Sequence, residues 1–268
     1  MAEIVAAFGV PHTPMAPGLV EREGPNCETA RLFRAVAQHL EAVGPDILIV
    51  FDSDHLNTFF FNNLPTFSVG VAGRTEGPND SNTILTRRPV LVSADLSNQV
   101  YRFGVQQGFD LASTQEFEVD HSIMVPLHFL TPRMQIPIVP IFINGLAPPL
   151  PAAKRCYALG DAVRHAVGAW SGRETVAILA SGSFSLEVAG PKEGVTDQEW
   201  MDTVLTSLAA ARAQELLEKA TTERLLAAGN VSGELLNWIA LLGVIGNRRP
   251  VFLEPQHGHA YAAWRWDR

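Results

Sequence analysis

Two of the eight histidines stand where an apolar run gives way to a loop: His12 in GVPHTP follows EIVAAFG, and His55 in FDSDHLN follows ILIVF. Neutral imidazole nitrogens beside a carboxylate, with coordination positions left open, form the face of ligands that suits a non-haem Fe(II) centre working on dioxygen. Spacing alone does not nominate that carboxylate. The chain has 28 acidic residues, and Asp52 and Asp54 are merely the nearest to His55. The same ligand mix also serves zinc, so a non-redox metal-dependent hydrolase is the competing chemistry. The bland alternative is that each histidine caps a strand end or bonds to a loop carbonyl. A thiolate site is not expected, because the only cysteines are Cys27 and Cys156 and they form no CxxC pair.

For the two imidazoles to meet, the elements before them must end on one edge of a sheet. Residues 3–9 and 47–51 are short β-branched runs bounded by polar or turn residues, the pattern of buried parallel strands. Between them, Leu32, Val36, Leu40 and Val43 fall at helical spacing over 28–43, and Gly44-Pro45 stops the helix. In a βαβ unit the carboxyl ends of parallel strands open on the same side, where α/β folds bind their ligands. Further strands are expected at 67–72, 137–143 and 175–180, with helices at 94–107, 152–170, 197–218 and 233–244. This alternation predicts an α/β fold: one mostly parallel central sheet with helices on both faces.

The chain's 268 residues, 47% of them hydrophobic, suffice for one large core, so a single domain over 1–268 is expected. Its net charge of −8 with scattered Lys and Arg excludes a nucleic-acid-binding surface. No run approaches the roughly 18 apolar residues of a membrane span, and the N-terminal run is short and lacks a basic flank. A cytoplasmic enzyme without a membrane partner is the expectation.

Six segments carry a resemblance to a known family: GVPHTP at 9–14, ILIVFDSDHLNTFFFNNLPTFSVG at 47–70, EVDHSIMVPL at 118–127, KRCYALGDAVRHAV at 154–167, SGSFSLEVAGP at 181–191 and SGELLNWIALLG at 232–243. Together they resemble the class III extradiol ring-cleavage dioxygenases, including the catalytic subunits that open protocatechuate and gallate. The resemblance implies an Fe(2+) cofactor held by His12, His55 and Glu234. It implies a small aromatic diol and O2 as substrates, and a homo-oligomer, a dimer, or pairing with a small companion subunit. His121 matches the family histidine that contacts substrate in an acid role, a task suited to imidazole near neutral pH. Asn57, Ser185 and Leu186 are the expected substrate-binding positions. Glu234 is expected in the first turn of an amphipathic helix, where the helix dipole favours an ionised acid.

One departure bears on mechanism. The family's SGGxSH loop ends on a base histidine, whereas this chain reads Ser181-Gly182-Ser183-Phe184-Ser185-Leu186, with Gly190-Pro191 setting the register. Leucine accepts no proton. Three readings follow: an acidic diol, gallate- or hydroxypyridone-like, that loses its protons on binding metal; a substitute base in His257 or His259; or a partner subunit or altered chain impaired in catalysis. His128, His39 and His165 read as packing or ordinary helix residues.

Overall fold

The computed structural model describes residues 1–266, so the last two positions of the expected 1–268 domain lie outside the described residues. The strands are β1 (Glu3–Val10), β2 (Ile47–Asp52), β3 (Phe67–Gly70), β4 (Arg74–Gly77), β5 (Arg88–Leu91), β6 (Leu111–Thr114), β7 (Ile138–Ile143), β8 (Thr175–Ser181), β9 (Phe252–Gln256) and β10 (His259–Arg265). The helices are α1 (Ala16–Glu23), α2 (Glu28–Val43), α3 (Ala94–Gln106), α4 (His121–Leu130), α5 (Ala153–Ala169), α6 (Gln198–Ala209), α7 (Ala213–Lys219), α8 (Thr222–Ala228) and α9 (Leu235–Ile245). A 3-10 turn, Ser232–Glu234, leads into α9.

Eight strands form one sheet in the order β6-β3-β7-β2-β8-β1-β10-β9, while β4 and β5 make a separate hairpin. Its centre, β7-β2-β8-β1, is parallel throughout. Antiparallel pairs lie toward the two edges. Helices α2 and α4 bury Phe33, Val36, Ile123 and Leu127 on one face, and α3, α5, α6 and α9 bury Leu96, Val163, Val204 and Ile239 on the other. The α/β architecture with helices on both faces is therefore as the sequence indicates. β1 and β2 are separated by β8, and their carboxyl ends still open on one edge because all three run parallel.

Two expectations are corrected. The helix expected over 197–218 is two helices, α6 and α7, broken where Ala211 takes φ of 57°. The helix carrying Glu234 is not amphipathic: every residue from Leu235 to Ile245 is buried, because α9 lies between the sheet and α5. A Cβ on Gly9 would fall 2.2 Å from the Trp238 ring, so only glycine lets α9 sit this close to the end of β1. The packing that makes α9 apolar all round is thus also what sets its first turn against His12.

Helix α4 was indicated only as a helix start beside His121, without a range, and Pro126 interrupts its pattern. Proline removes the amide that would bond back to the Ser122 carbonyl. The Ser181 hydroxyl donates to that carbonyl instead, at 3.0 Å, tying α4 to the end of β8.

Candidate metal centre

His12 follows β1, His55 follows β2, and Glu234 ends the turn before α9; all three side chains converge at the sheet's carboxyl edge. Oε1 of Glu234 lies 3.1 Å from Nε2 of His12 and 3.2 Å from Nε2 of His55. Neighbouring ligands at right angles on an ion with bonds of about 2.1 Å stand roughly 3 Å apart, so this spacing matches one face of a coordination shell. The other nearby acids are engaged elsewhere. Asp52 Oδ1 approaches His12 only at Nδ1, 3.8 Å away. Asp54 accepts the backbone N–H groups of Asn57, Thr58 and Phe59 at 3.0–3.2 Å.

The far ring nitrogens decide what the near ones present. Ser181 spends its only proton on the Ser122 carbonyl, so its oxygen accepts from Nδ1–H of His12 at 2.7 Å. On the other side, Nδ1–H of His55 donates to Asp120 Oδ2 at 3.1 Å, and the His55 backbone N–H reaches the same oxygen at 2.9 Å. With each Nδ1 acting as donor, both Nε2 atoms point at the Glu234 carboxylate. Once His55 gives up the proton it shares with Glu234, two lone pairs and a carboxylate oxygen face one another in a buried site, an arrangement that a cation satisfies. The residues therefore fit a divalent metal.

Electrostatics divide the site. Burial keeps the His12 pKa below its ordinary value, against the pull of Glu234. Burial also disfavours a charged His55, but Asp120 and Glu234 together overcome it and hold the pKa well above the usual histidine range. Burial would raise the Glu234 carboxyl; charge and hydrogen bonds from His12 and His55 instead hold it below the usual carboxylate range. Its second oxygen accepts the Ser183 N–H at 2.8 Å. Gly182, at φ 147°, makes room for this contact, because a Cβ there would fall 2.6 Å from Glu234 Cβ.

His121 opens α4 and stands beside the pair, its ring centroid 4.4 Å from that of His55 and 5.7 Å from that of His12. These three imidazoles each bring a ring nitrogen within 4.8 Å of the others and form a second potential metal-holding combination. His121 lacks the carboxylate that bridges the other two, and its own Nδ1 is taken by Asp80 at 2.6 Å.

A cavity of about 630 Å³ is lined by Pro11 and Thr13, the residues on either side of His12, and by Met15, Ile84, His259 and Tyr261, although His12, His55, His121 and Glu234 themselves are not among its walls. His259 is buried, with Nδ1 3.1 Å from Ser183 Oγ and Nε2 3.4 Å from Thr13 Oγ1, and burial lowers its pKa to about 4. His257 is exposed at the β9–β10 turn and lines the same cavity.

The other expected contacts are arranged differently. Asn57 donates to Asp120 Oδ2 at 3.1 Å and lines a separate polar cavity of about 670 Å³ with Thr58, Arg74, Glu76 and Glu118. The Ser185 hydroxyl is saturated within the protein, donating to the Ala228 carbonyl and accepting the Asp197 N–H. Leu186 is half-buried, bonds through its N–H to Ser232 Oγ at 3.1 Å, and is not one of the cavity's lining residues. Sequence reasoning missed Asp120, Ser181, Ser122 and Asp80 as supports. Only Asp120 carried a signal, as a helix-capping acid before His121: its carboxylate accepts the Ser122 N–H at 2.8 Å.

Comparison with known proteins agrees with this geometry. Residues 6–263 match the family described as the catalytic LigB subunit of aromatic ring-opening dioxygenase. A 2,3-dihydroxyphenylpropionate/2,3-dihydroxicinnamic acid 1,2-dioxygenase of Burkholderia vietnamiensis is 31% identical over 208 residues, 75% of this chain and 61% of that protein. A Pseudomonas putida protein of the same description is 29% identical over 197 residues, 73% of this chain and 61% of its own length. The chain thus spans about 61% of the length of these curated relatives. The crystal structure of an uncharacterized Escherichia coli K12 protein shares the fold, with a TM-score of 0.61 at 15% identity, covering 97% of this chain and 98% of that one. No helix among the described residues is long and apolar enough to cross a membrane.

Proposed function

Because this chain belongs to the LigB family of aromatic ring-opening dioxygenases, we propose that it opens the ring of an aromatic diol with dioxygen, at an Fe(II) held by His12, His55 and Glu234. The observation that carries the reading is the meeting of two Nε2 atoms with one carboxylate oxygen, at 3.1 and 3.2 Å, while both Nδ1 atoms are engaged as donors. Bound there, Fe(II) would supply Lewis acidity and a route for electrons between diol and dioxygen.

The chain's own groups supply position and proton handling. His121 stands beside His55, its ring centroid 4.4 Å away, and would exchange protons with a substrate oxygen. His259 takes the place left by Leu186. It is buried on the cavity wall and bonded to Ser183, the residue whose N–H holds Glu234, whereas His257 is exposed. Neutral at physiological pH, with burial disfavouring its charged form, His259 would orient a substrate hydroxyl by hydrogen bonding. The buried Tyr261 gives the cavity one dry wall against the ring. A homodimer completes the reading, and the exposed Phe60 and Phe61 beside the His55 loop offer apolar surface for it.

The test is anaerobic Fe(II) loading followed by oxygen-electrode assays on catechols, gallates, aminophenols and hydroxypyridones, with light scattering for mass. Stoichiometric oxygen uptake and a ring-cleavage chromophore are expected. Turnover that needs no oxygen and prefers zinc would establish the hydrolytic alternative instead.

A further inference from the structure

His121 is gripped by a residue far from it in sequence. The segment 78–87 leaves β4 and crosses beside the histidine cluster before entering β5. From it, Asp80 Oδ1 accepts the backbone N–H of His121 at 3.1 Å, and Oδ2 accepts from ring Nδ1 at 2.6 Å. The Asp80 side chain is only 3% exposed. Its place is set by its neighbours. The Asn79 N–H donates to the Val119 carbonyl at 3.1 Å, and the Asn79 amide donates to the Asn57 carbonyl at 3.3 Å. A Cβ on Gly77 would fall 2.1 Å from the Val119 oxygen, so the strap lies directly on the residues leading into α4.

We propose that Asp80 is a positioning residue for His121: by accepting both its backbone N–H and its Nδ1–H, it fixes the ring tautomer and leaves Nε2 as the nitrogen available to substrate. The physical ground is donor inventory. A carboxylate only accepts, so the ring nitrogen facing it must carry the proton. A neutral imidazole has one N–H, and the opposite nitrogen then holds a lone pair. Burial opposes charge on Asp80, but its bonds to His121 outweigh this and keep the carboxyl below its ordinary value, in the acceptor-only form. The inference rests on the reading above only in giving His121 a substrate to act on; the tautomer itself is a property of the metal-free chain.

Asp80→Asn is the informative variant. An amide offers one acceptor oxygen where the site needs two, so one of the two His121 donors loses its partner, or Nδ1 becomes the acceptor and the proton moves to Nε2. Long-range proton–nitrogen correlation spectra of the imidazoles, recorded on metal-free protein at mildly alkaline pH, read the tautomer directly. Native protein is expected to show His121 protonated at Nδ1, and Asp80→Asn to show a mixture or the Nε2 form. With iron loaded, kcat should fall on the order of 10–100-fold, the usual effect of removing a supporting partner, with metal content and KM little changed. In a His121→Phe background the same substitution should change nothing further, since residues acting as a unit are not additive. Asp80→Glu, which keeps the carboxylate, should retain the Nδ1 form and restore much of kcat; it also serves if the asparagine variant folds poorly by circular dichroism. An unaltered tautomer in Asp80→Asn, or an equal loss of kcat in the His121→Phe background, overturns the proposal. Absence of oxygen-dependent turnover in native protein overturns the function reading instead and leaves the tautomer result standing.

Discussion

The two histidines facing Glu234 are held by unlike halves of the molecule. His12 belongs to the packed half. It is 3% exposed, its backbone follows the strand on which Trp238 lies, and its Nδ1 partner is a neutral serine hydroxyl. His55 belongs to the loop half. Its side chain is 18% exposed and its partner is the buried Asp120 carboxylate, which also takes bonds from Asn57 and Ser122. Burial would raise the Asp120 carboxyl, but His55, His121 and Ser122 hold it well below the ordinary range. One imidazole is thus kept neutral by its surroundings, whereas the other carries a proton until a metal displaces it. The comparison teaches that a single centre can draw rigidity from one half and charge from the other.

The most severe way to break this arrangement is to remove a ligand. His12→Ala, His55→Ala and Glu234→Ala should each abolish stoichiometric iron binding and turnover while far-UV circular dichroism stays native, because the residues end elements without filling the core. Full iron occupancy in any of the three would remove that residue from the ligand set.

The next effect is a dependence on pH that comes from the loop half alone. The His55 pKa is raised well above its ordinary value, so its proton stabilises the metal-free fold below the unfolded pKa of about 6.5. That contribution is lost as pH rises through the folded pKa. Metal must displace this proton, so affinity should rise about tenfold per pH unit above neutrality and level off past the folded pKa. Chelator competition at several pH values, alongside counting of released protons, checks the sign and the number. His12, already neutral, should contribute no proton.

Smaller changes separate the two supports. Asp120→Asn should weaken metal binding about 10–100-fold, as outer partners of ligating histidines commonly do. Ser181→Ala should act mainly on stability, by about 1–3 kcal/mol, since it leaves the buried Ser122 carbonyl and His12 Nδ1–H unpaired. Paired metal titrations and denaturant melts should therefore show opposite patterns. Equal patterns would erase the distinction between the halves. The smallest effect belongs to Leu186→His, which should leave substrate ranking unchanged because Leu186 does not line the cavity; His259→Ala should change it.

The sequence made the sheet readable through runs such as ILIVF, buried on both faces, and made α2 readable through Leu32, Val36 and Leu40 with Gly44 closing it at φ 57°. It did not make the extent of α4 readable, because Pro126 within ten residues resembles a break, and its compensation comes from Ser181 on another element. The pairing of His12 with His55 followed from strand direction. Glu234 did not: nothing local distinguishes it from other helix-start acids, and only the resemblance nominated it. Asp80 and Ser181 were illegible for the same reason, since their partners lie 41 and 169 residues away and no periodicity links them. The 181–186 loop was legible as a segment but not in detail: nothing in it marked Ser183 as the residue whose backbone N–H addresses the Glu234 carboxylate.

The span of chain between the converging groups has a thermodynamic consequence. His12 and Glu234 are 222 residues apart, so the cluster exists only when the first strand and the last helix have both docked on the same sheet. An ion bound there acts as a clasp on the whole domain through linkage: it binds the folded chain and finds no preformed cluster in the unfolded one. At a free metal concentration about a thousand times the dissociation constant, the gain is about 4 kcal/mol, a large share of the roughly 5–15 kcal/mol by which domains are ordinarily stable. Metal supply therefore sets the margin of stability as well as the number of working centres, and chelation should lower the melting temperature of a chain that stays folded under ordinary conditions.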